Sequence, residues 1–243
     1  MSYLIEPFSL EWLLTNFVSF TLIIFLLLFS RYILKNHLAL SKATLTYIFL
    51  IFLICRMLVF HLVALTLGVW DIEHILPFHL CGIASLMCLF VLFKYNQSIY
   101  EFLLLLGMPG AVWALLTPQI NIHEPFYMYI DYFINHAMII FVPIYLTFCY
   151  GKKPRKKSYL KIFITMNLLV IPLVSVINIF LKKFLSIESV NYMYLMSPPH
   201  ADNPLIINGW SYMIGLELVA LIHMFLVYSF FTFIYNRNYY FKL

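Results

Sequence analysis

His79 and Cys81 stand two residues apart in Leu76-Pro77-Phe78-His79-Leu80-Cys81, the opening of an apolar segment that runs on to Phe93. Polar side chains in hydrocarbon are costly unless neighbouring groups use them. A thiol beside an imidazole is the minimal equipment for nucleophilic acyl chemistry: sulfur attacks a carbonyl while the ring takes the proton. Pro77 suits a first helical turn, which puts Cys81 near a helix N-terminus, where the dipole favours negative charge on sulfur. Two helical residues at this spacing point about 200° apart, so His79 is the poorer base for Cys81. His136, on another apolar run, is the candidate base, and His79 is left to orient a substrate or to bond His136. The bland reading of Cys81 is a small buried hydrophobe.

Other ionisable residues also fall inside apolar runs. Arg56 is expensive there unless paired, with Glu217 or Asp131 as the expected partner. The pair is either structural or an anchor for a phosphate headgroup, which guanidinium geometry suits. His61, His79, His136 and His223 with Glu217 and Asp131 also have the donor chemistry of a zinc or iron site. No His-Glu-x-x-His spacing fixes such ligands on one helix face, and neither metal nor cofactor is assigned.

The elements that must position these groups are membrane helices. The chain is 64% hydrophobic and 10% charged, with a mean hydropathy of +0.94, a balance no water-soluble domain of this length can cover with polar surface. Residues 1–243 read as a single all-α, polytopic, membrane-embedded domain. Seven spans are expected near 12–30, 45–67, 75–93, 100–116, 127–150, 159–180 and 210–235, each long enough for a core of about 30 Å. No cationic leader precedes the first run, which is therefore read as a retained helix. Cys55, Cys81, Cys88 and Cys149 all lie in or beside apolar runs and are expected as free thiols.

Basic residues fall in alternate connectors. One set holds Arg31, Lys35, Lys42, Lys94, the run from Lys152 to Lys161, Arg237 and Lys242, whereas the other holds Lys182 and Lys183. This places the N-terminus outside and the C-terminus in the cytoplasm. In that frame Cys81, His61, His136 and Glu217 share a depth about 10 Å below the outer boundary. Asp131 is shallower, Arg56 and His223 are nearer the midplane, and Glu101 is the outlier at the inner end. A layer of ionisable groups on several helices implies a polar cavity opening outward. The connector 181–209, with Asn191-Tyr192-Met193-Tyr194-Leu195 followed by Pro198 and Pro199, is apolar enough to lie over that cavity as a lid. Gly107, Gly110, Ala111 and Ala114 around Pro109 read as close, kinked packing, and Asn167 and Asn178 as interhelical hydrogen-bond donors. The basic run reads as a solvated cytoplasmic anchor.

The chain resembles the YwaF-type integral membrane proteins of bacteria, whose eukaryotic relatives include a transmembrane phospholipid acyltransferase that depends on a cysteine and a histidine. The resemblance runs from about Leu76 onward. It rests on Leu76 to Cys81, Ala114-Leu115-Leu116-Thr117-Pro118, Tyr132-Phe133-Ile134-Asn135-His136 and the 191–195 pentapeptide. It implies a seven-helix fold and an acyl-thioester mechanism, with Cys81 carrying the acyl group and His136 as base and acid. Met128, Asp131 and Pro198 depart from the family pattern, which bears on the headgroup rather than on the thiol and imidazole.

The expected function is a lipid acyltransferase or transacylase of the plasma membrane, with a membrane lipid as substrate, the bilayer as surroundings and no nucleic-acid partner. Cys81, His136 and His79 are its catalytic residues, with His79 or Asn191 stabilising the oxyanion. Asn191, Tyr192, Arg56, Glu217 and Asp131 are its substrate-binding residues. The alternatives are a lipid or small-molecule binding or transport protein, against which unbroken helices weigh, and a metal-dependent lipid hydrolase.

Overall fold

Where water is absent, a backbone satisfies its own hydrogen bonds by staying helical, and the long apolar runs do so here. The computed structural model describes residues 2–35, 40–121, 125–198 and 212–236. Its elements are α1 (Leu10–Lys35), α2 (Lys42–Thr66), the single turn α3 (Ile72–Ile75) and α4 (Leu80–Phe93), then α5 (Gln97–Leu116), α6 (Phe126–Tyr150), α7 (Ser158–Phe184) and α8 (Tyr212–Asn236). Six of these helices are long and apolar enough to cross a membrane. A two-stranded antiparallel ribbon, β1 (Ser2–Leu4) with β2 (Gln119–Asn121), ties the N-terminus to the α5–α6 connector. Trp12 Nε1 donating to the Leu116 carbonyl at 2.7 Å and Tyr129 donating to Glu11 at 2.8 Å fasten α1 at the same place. Trp210, Pro199, Gly209, Arg237 and Lys242 lie outside the described residues.

The third expected span is not one helix. α3 ends at Ile75, Leu76–His79 leave helical geometry, and α4 begins at Leu80 with His79 in extended backbone (φ −71°, ψ 154°) as its N-cap. α4 has 14 residues, about 21 Å of helix, short of a bilayer core of about 30 Å. Cys81 is consequently the second residue of α4, and Pro77 stands before the helix instead of in its first turn. The break is locked by Gly82, where an added Cβ would stand 2.8 Å from the Pro77 Cα. That clash is with backbone and cannot be relieved by a rotamer change. Gly82→Ala is therefore expected to lower stability by about 1–3 kcal/mol, and denaturant titration of the purified protein in detergent checks it.

At the centre of the bundle stands α6, 72% of whose most apolar window is buried, against 22% for α1 and 11% for α8. The outer helices turn large apolar side chains such as Phe17, Phe25, Ile51 and Leu62 outward, as a lipid-facing surface does. α5 widens to π-helical geometry over Leu103–Gly107, just before Pro109, which has no amide hydrogen for the regular ladder. A Cβ on Gly107 would meet Ala84 at 3.3 Å, and one on Gly110 would meet Leu80 at 3.1 Å, which bears out close packing of α5 against α4.

The connectors rich in lysine and arginine gather at one end. Tyr150 of α6 donates to the Lys42 carbonyl at 3.0 Å, and Gln97 donates to the Lys153 carbonyl at 2.9 Å. The basic run is exposed at Lys153, Arg155, Lys156 and Lys157, and Glu101, fully buried, pins it at Arg155. Arg155 donates to Glu101 through its backbone amide at 2.7 Å and through its guanidinium at 2.6 Å. The hydrogen bonds from Glu101 push the Arg155 guanidinium pKa above its already high ordinary value.

Candidate functional site

Non-helical backbone at membrane depth is tolerated where it lines a cavity, and the Leu76–His79 break does so. Beside it lies a half-open cavity of about 580 Å³ between α2, α4 and α6. Leu76, Pro77, His79, Cys81, Gly82 and Ser85 contribute one wall, Arg56, Phe60 and His61 a second, and Met128, Asp131, Tyr132, Asn135 and His136 the third. Each wall follows from helical spacing: 81 and 85 lie one turn apart on α4, as do 56 and 60 on α2, and 128, 131, 132 and 135 share one face of α6. The candidate nucleophile and base are thus brought to one cavity by different helices. His79, displaced from the helix by the break, joins them.

The state of His136 can be read from its neighbours. Nδ1 lies 2.7 Å from the Tyr132 carbonyl oxygen, which only accepts, so Nδ1 carries the hydrogen. The neutral ring then has its lone pair on Nε2, the form a general base requires. Tyr132, whose ring centroid is 4.3 Å from that of His136, donates its own hydroxyl to the Ala114 carbonyl at 2.8 Å and steadies the imidazole. His79 takes the opposite tautomer: its Nδ1 accepts from the Met193 amide at 3.4 Å, so in the neutral ring Nε2 carries the hydrogen and is a donor.

Opposite the thiol sits the ion pair. Arg56 donates to Asp131 at 2.6 Å and to Ser85 Oγ at 3.0 Å, both charged side chains being under a tenth exposed. Asp131 is the partner and Glu217 is not. Three buried polar atoms on residues lining the cavity, Arg56 Nε, Asp131 Oδ1 and Asn135 Oδ1, have no hydrogen-bond partner among the described residues. Buried groups of this kind are nearly always satisfied. They therefore mark a place where polar atoms of a ligand or of solvent belong.

Three expected substrate contacts are corrected. Glu217 is half-buried between α7 and α8 and accepts from Asn167 Nδ2 at 2.8 Å, away from the cavity. Asn191 does not reach the cavity either. Its amide nitrogen donates to the Ser197 carbonyl and hydroxyl, both at 2.9 Å, and its oxygen accepts from the Met196 amide at 2.9 Å, so the whole side chain holds the connector's own turn. That removes it as an oxyanion donor. Tyr192 is fully buried, donates to the Ile72 carbonyl, and packs its ring on Phe78 and His79 with centroids 5.3 and 5.1 Å apart, a strut under the break. Asn178 exchanges two 2.9 Å bonds with the Tyr192 backbone, so it serves the connector and not a neighbouring helix.

Sequence reading passed over Ser85, Gly82 and Tyr194. Four-residue spacing from Cys81 pointed to Ser85, and the Gly next to the thiol marked the close approach. Tyr194 entered only as part of the 191–195 pentapeptide, with no role of its own. Its ring stands 5.2 Å from that of His79, and burial, with the charge of Cys81 as the second cause, pushes its phenol up to about 12. It stays protonated at neutral pH. Met193 and Tyr194 both hold left-handed backbone (φ 56° each), which costs non-glycine residues on the order of 1–3 kcal/mol and tends to concentrate at functional sites.

Both ring nitrogens of one metal candidate and one ring nitrogen of another are engaged. His223 Nδ1 donates to the Val219 carbonyl at 2.8 Å and its Nε2 accepts from Trp113 at 3.1 Å, while His61 Nδ1 accepts from Trp70 at 3.2 Å. Among the described residues no group of three or more His, Cys, Asp or Glu side chains is arranged to hold a metal ion. The four cysteines are free thiols.

The fold and site define an all-helical, multi-pass membrane protein with a polar cavity set beside a broken helix. The chain belongs to the TMEM164 family, whose model matches residues 7–228. Comparison with curated proteins and with solved structures returns no match.

Proposed function

We propose that the protein is a membrane-embedded acyltransferase or transacylase that uses Cys81 as nucleophile and His136 as base. The observation that carries this reading is the presence in one cavity of a thiol at a helix N-terminus and a neutral imidazole with its Nε2 lone pair free of backbone contacts. In the forward step Cys81 sulfur bonds to the carbonyl carbon of a lipid ester, His136 Nε2 takes the thiol proton, and the same proton goes to the departing alkoxide, leaving a thioester. An acceptor hydroxyl, deprotonated by His136, then takes the acyl group and frees the thiol. His79, which lines the same cavity, takes the oxyanion role in place of Asn191. Arg56, Asp131 and Asn135 supply polar atoms for the headgroup. The acyl chemistry follows the YwaF-type resemblance as well as the geometry. The broken α3–α4 segment is taken as a seventh crossing and the basic end as cytoplasmic, which sets the cavity in the outer half of a plasma membrane.

Reconstitution with phospholipids carrying an isotopically heavy acyl chain, followed by peptide mass spectrometry, tests the proposal. A heavy acyl adduct on the Cys81 peptide, lost in Cys81→Ala, is expected. No adduct, or one that persists in Cys81→Ala, overturns it. The broken helix also favours the binding or transport reading, because such breaks beside charged pairs build transporter sites. Flux into liposomes that survives Cys81→Ala and fails without Arg56 would select that reading instead.

A further inference from the structure

A second cavity, of about 250 Å³, opens between the same three helices at the opposite, basic end. Ala43 lies thirteen residues before Arg56 on α2, so the two cavities are about 20 Å apart along that helix. The walls of the second cavity are the apolar side chains of Val91, Leu92 and Leu146 together with Tyr47, which is half exposed on the lipid-facing side. At its rim are Lys152 and the ring of Tyr95, with the Lys152 ammonium 4.0 Å from the ring centroid. Deeper in, Thr46 Oγ1 donates to the Lys42 carbonyl at 2.8 Å and lies 2.9 Å from the Tyr145 hydroxyl and 2.7 Å from that of Tyr150. Their hydrogens are spent on one another and on backbone, so the hydroxyls add acceptors and Lys152 supplies the donors and the charge.

The surrounding charge has one sign. Glu101 is the buried acid at this end, and Arg155 already neutralises it. Lys152 itself is held in place, since Tyr100 donates to its carbonyl at 3.0 Å and the Glu101–Arg155 clamp fixes the residues that follow. An ammonium that rests on the Tyr95 ring, on a backbone held by Tyr100, over an apolar slot walled in part by half-exposed Tyr47, is complementary to an anionic amphiphile.

We propose that this second cavity is a binding site for an anionic phospholipid, with the phosphate on Lys152 and one acyl chain along Tyr47, Val91, Leu92 and Leu146. The site is separate from the Cys81 cavity and does not depend on acyl transfer. An ammonium seated on the lipid phosphate adds an attraction of roughly fivefold in affinity.

Native mass spectrometry of the full chain in detergent, titrated with phosphatidylglycerol, tests it. Lys152→Gln is expected to lower retained phosphatidylglycerol about fivefold, while Lys156→Gln, an exposed lysine outside the slot, leaves it unchanged. Ala43→Trp, at an exposed position on the slot wall, is expected to displace the lipid without touching any charge. Phosphatidylcholine is expected to bind more weakly, and glycerol 3-phosphate, which has no chains, not to compete. Equal losses from Lys152→Gln and Lys156→Gln, full retention in Ala43→Trp, equal binding of phosphatidylcholine, or competition by glycerol 3-phosphate would each overturn the proposal.

Discussion

Asp131→Ala, with Arg56 left in place, is expected to be the most destabilising single change in the protein, at about 3–5 kcal/mol. The guanidinium would keep its contact with Ser85 but lose the 2.6 Å carboxylate, and a charge under a tenth exposed would be left uncompensated. The double replacement Arg56→Met with Asp131→Leu removes both charges and is expected to regain most of that loss, because an apolar pair of similar volume often matches a buried ion pair. Detergent-solubilised protein followed through a denaturant titration gives both numbers. Lipid turnover separates the roles of the pair. If Arg56 and Asp131 position a headgroup, the double variant is folded and inactive; if the pair only braces α2 against α6, it is folded and active.

His136→Ala is expected to slow acylation of Cys81 about 10²- to 10⁴-fold, the usual contribution of a positioned general base. His136 is almost fully buried on the most buried helix, so a cavity replaces the ring and some loss of stability accompanies the change. His136→Gln keeps the volume and separates the two effects, since it is expected to fold as the parent does and to be slow all the same. Added imidazole is expected to restore part of the rate in His136→Ala, whose vacated space it fits, and not in His136→Gln. The rate of thioester formation in a single turnover reports both.

Hydropathy made the long helices legible because it reports the length over which a chain can stay in lipid. It placed no break at Leu76–His79, although Pro77 carries no amide hydrogen for the ladder and biases Leu76 away from helical geometry. What breaks the helix is the loss of backbone hydrogen bonds and the closeness of Gly82 to Pro77, neither of which enters an apolarity count. Counting along the helices put Cys81 and His136 at one level, and both line the cavity. Glu217 shows its limit. The same count gave it that level, but it meets Asn167 of α7 and does not line the cavity. Position along a helix can be counted from the sequence, whereas rotation about the axis is set by packing. The same ambiguity left Arg56 with two possible acids, and packing chose Asp131. Asn191 failed for a local reason: short amide side chains bond readily to nearby backbone, and the turn that carries Met193 and Tyr194 uses every hydrogen-bonding atom it has.

The central claim is that Cys81 faces a wet cavity where His136 activates it, and the rate of thiol modification at that one residue tests it most directly. The protein in liposomes is exposed to a small hydrophilic methanethiosulfonate, and each cysteine is followed by peptide mass spectrometry. Cys88 and Cys149, both buried, serve as internal references. Cys81 is expected to react well ahead of both references and to slow at least about tenfold in His136→Gln, as loss of a thiol's base requires. A Cys81 that stays unmodified in the folded protein, or that reacts equally fast without the imidazole, would contradict the account.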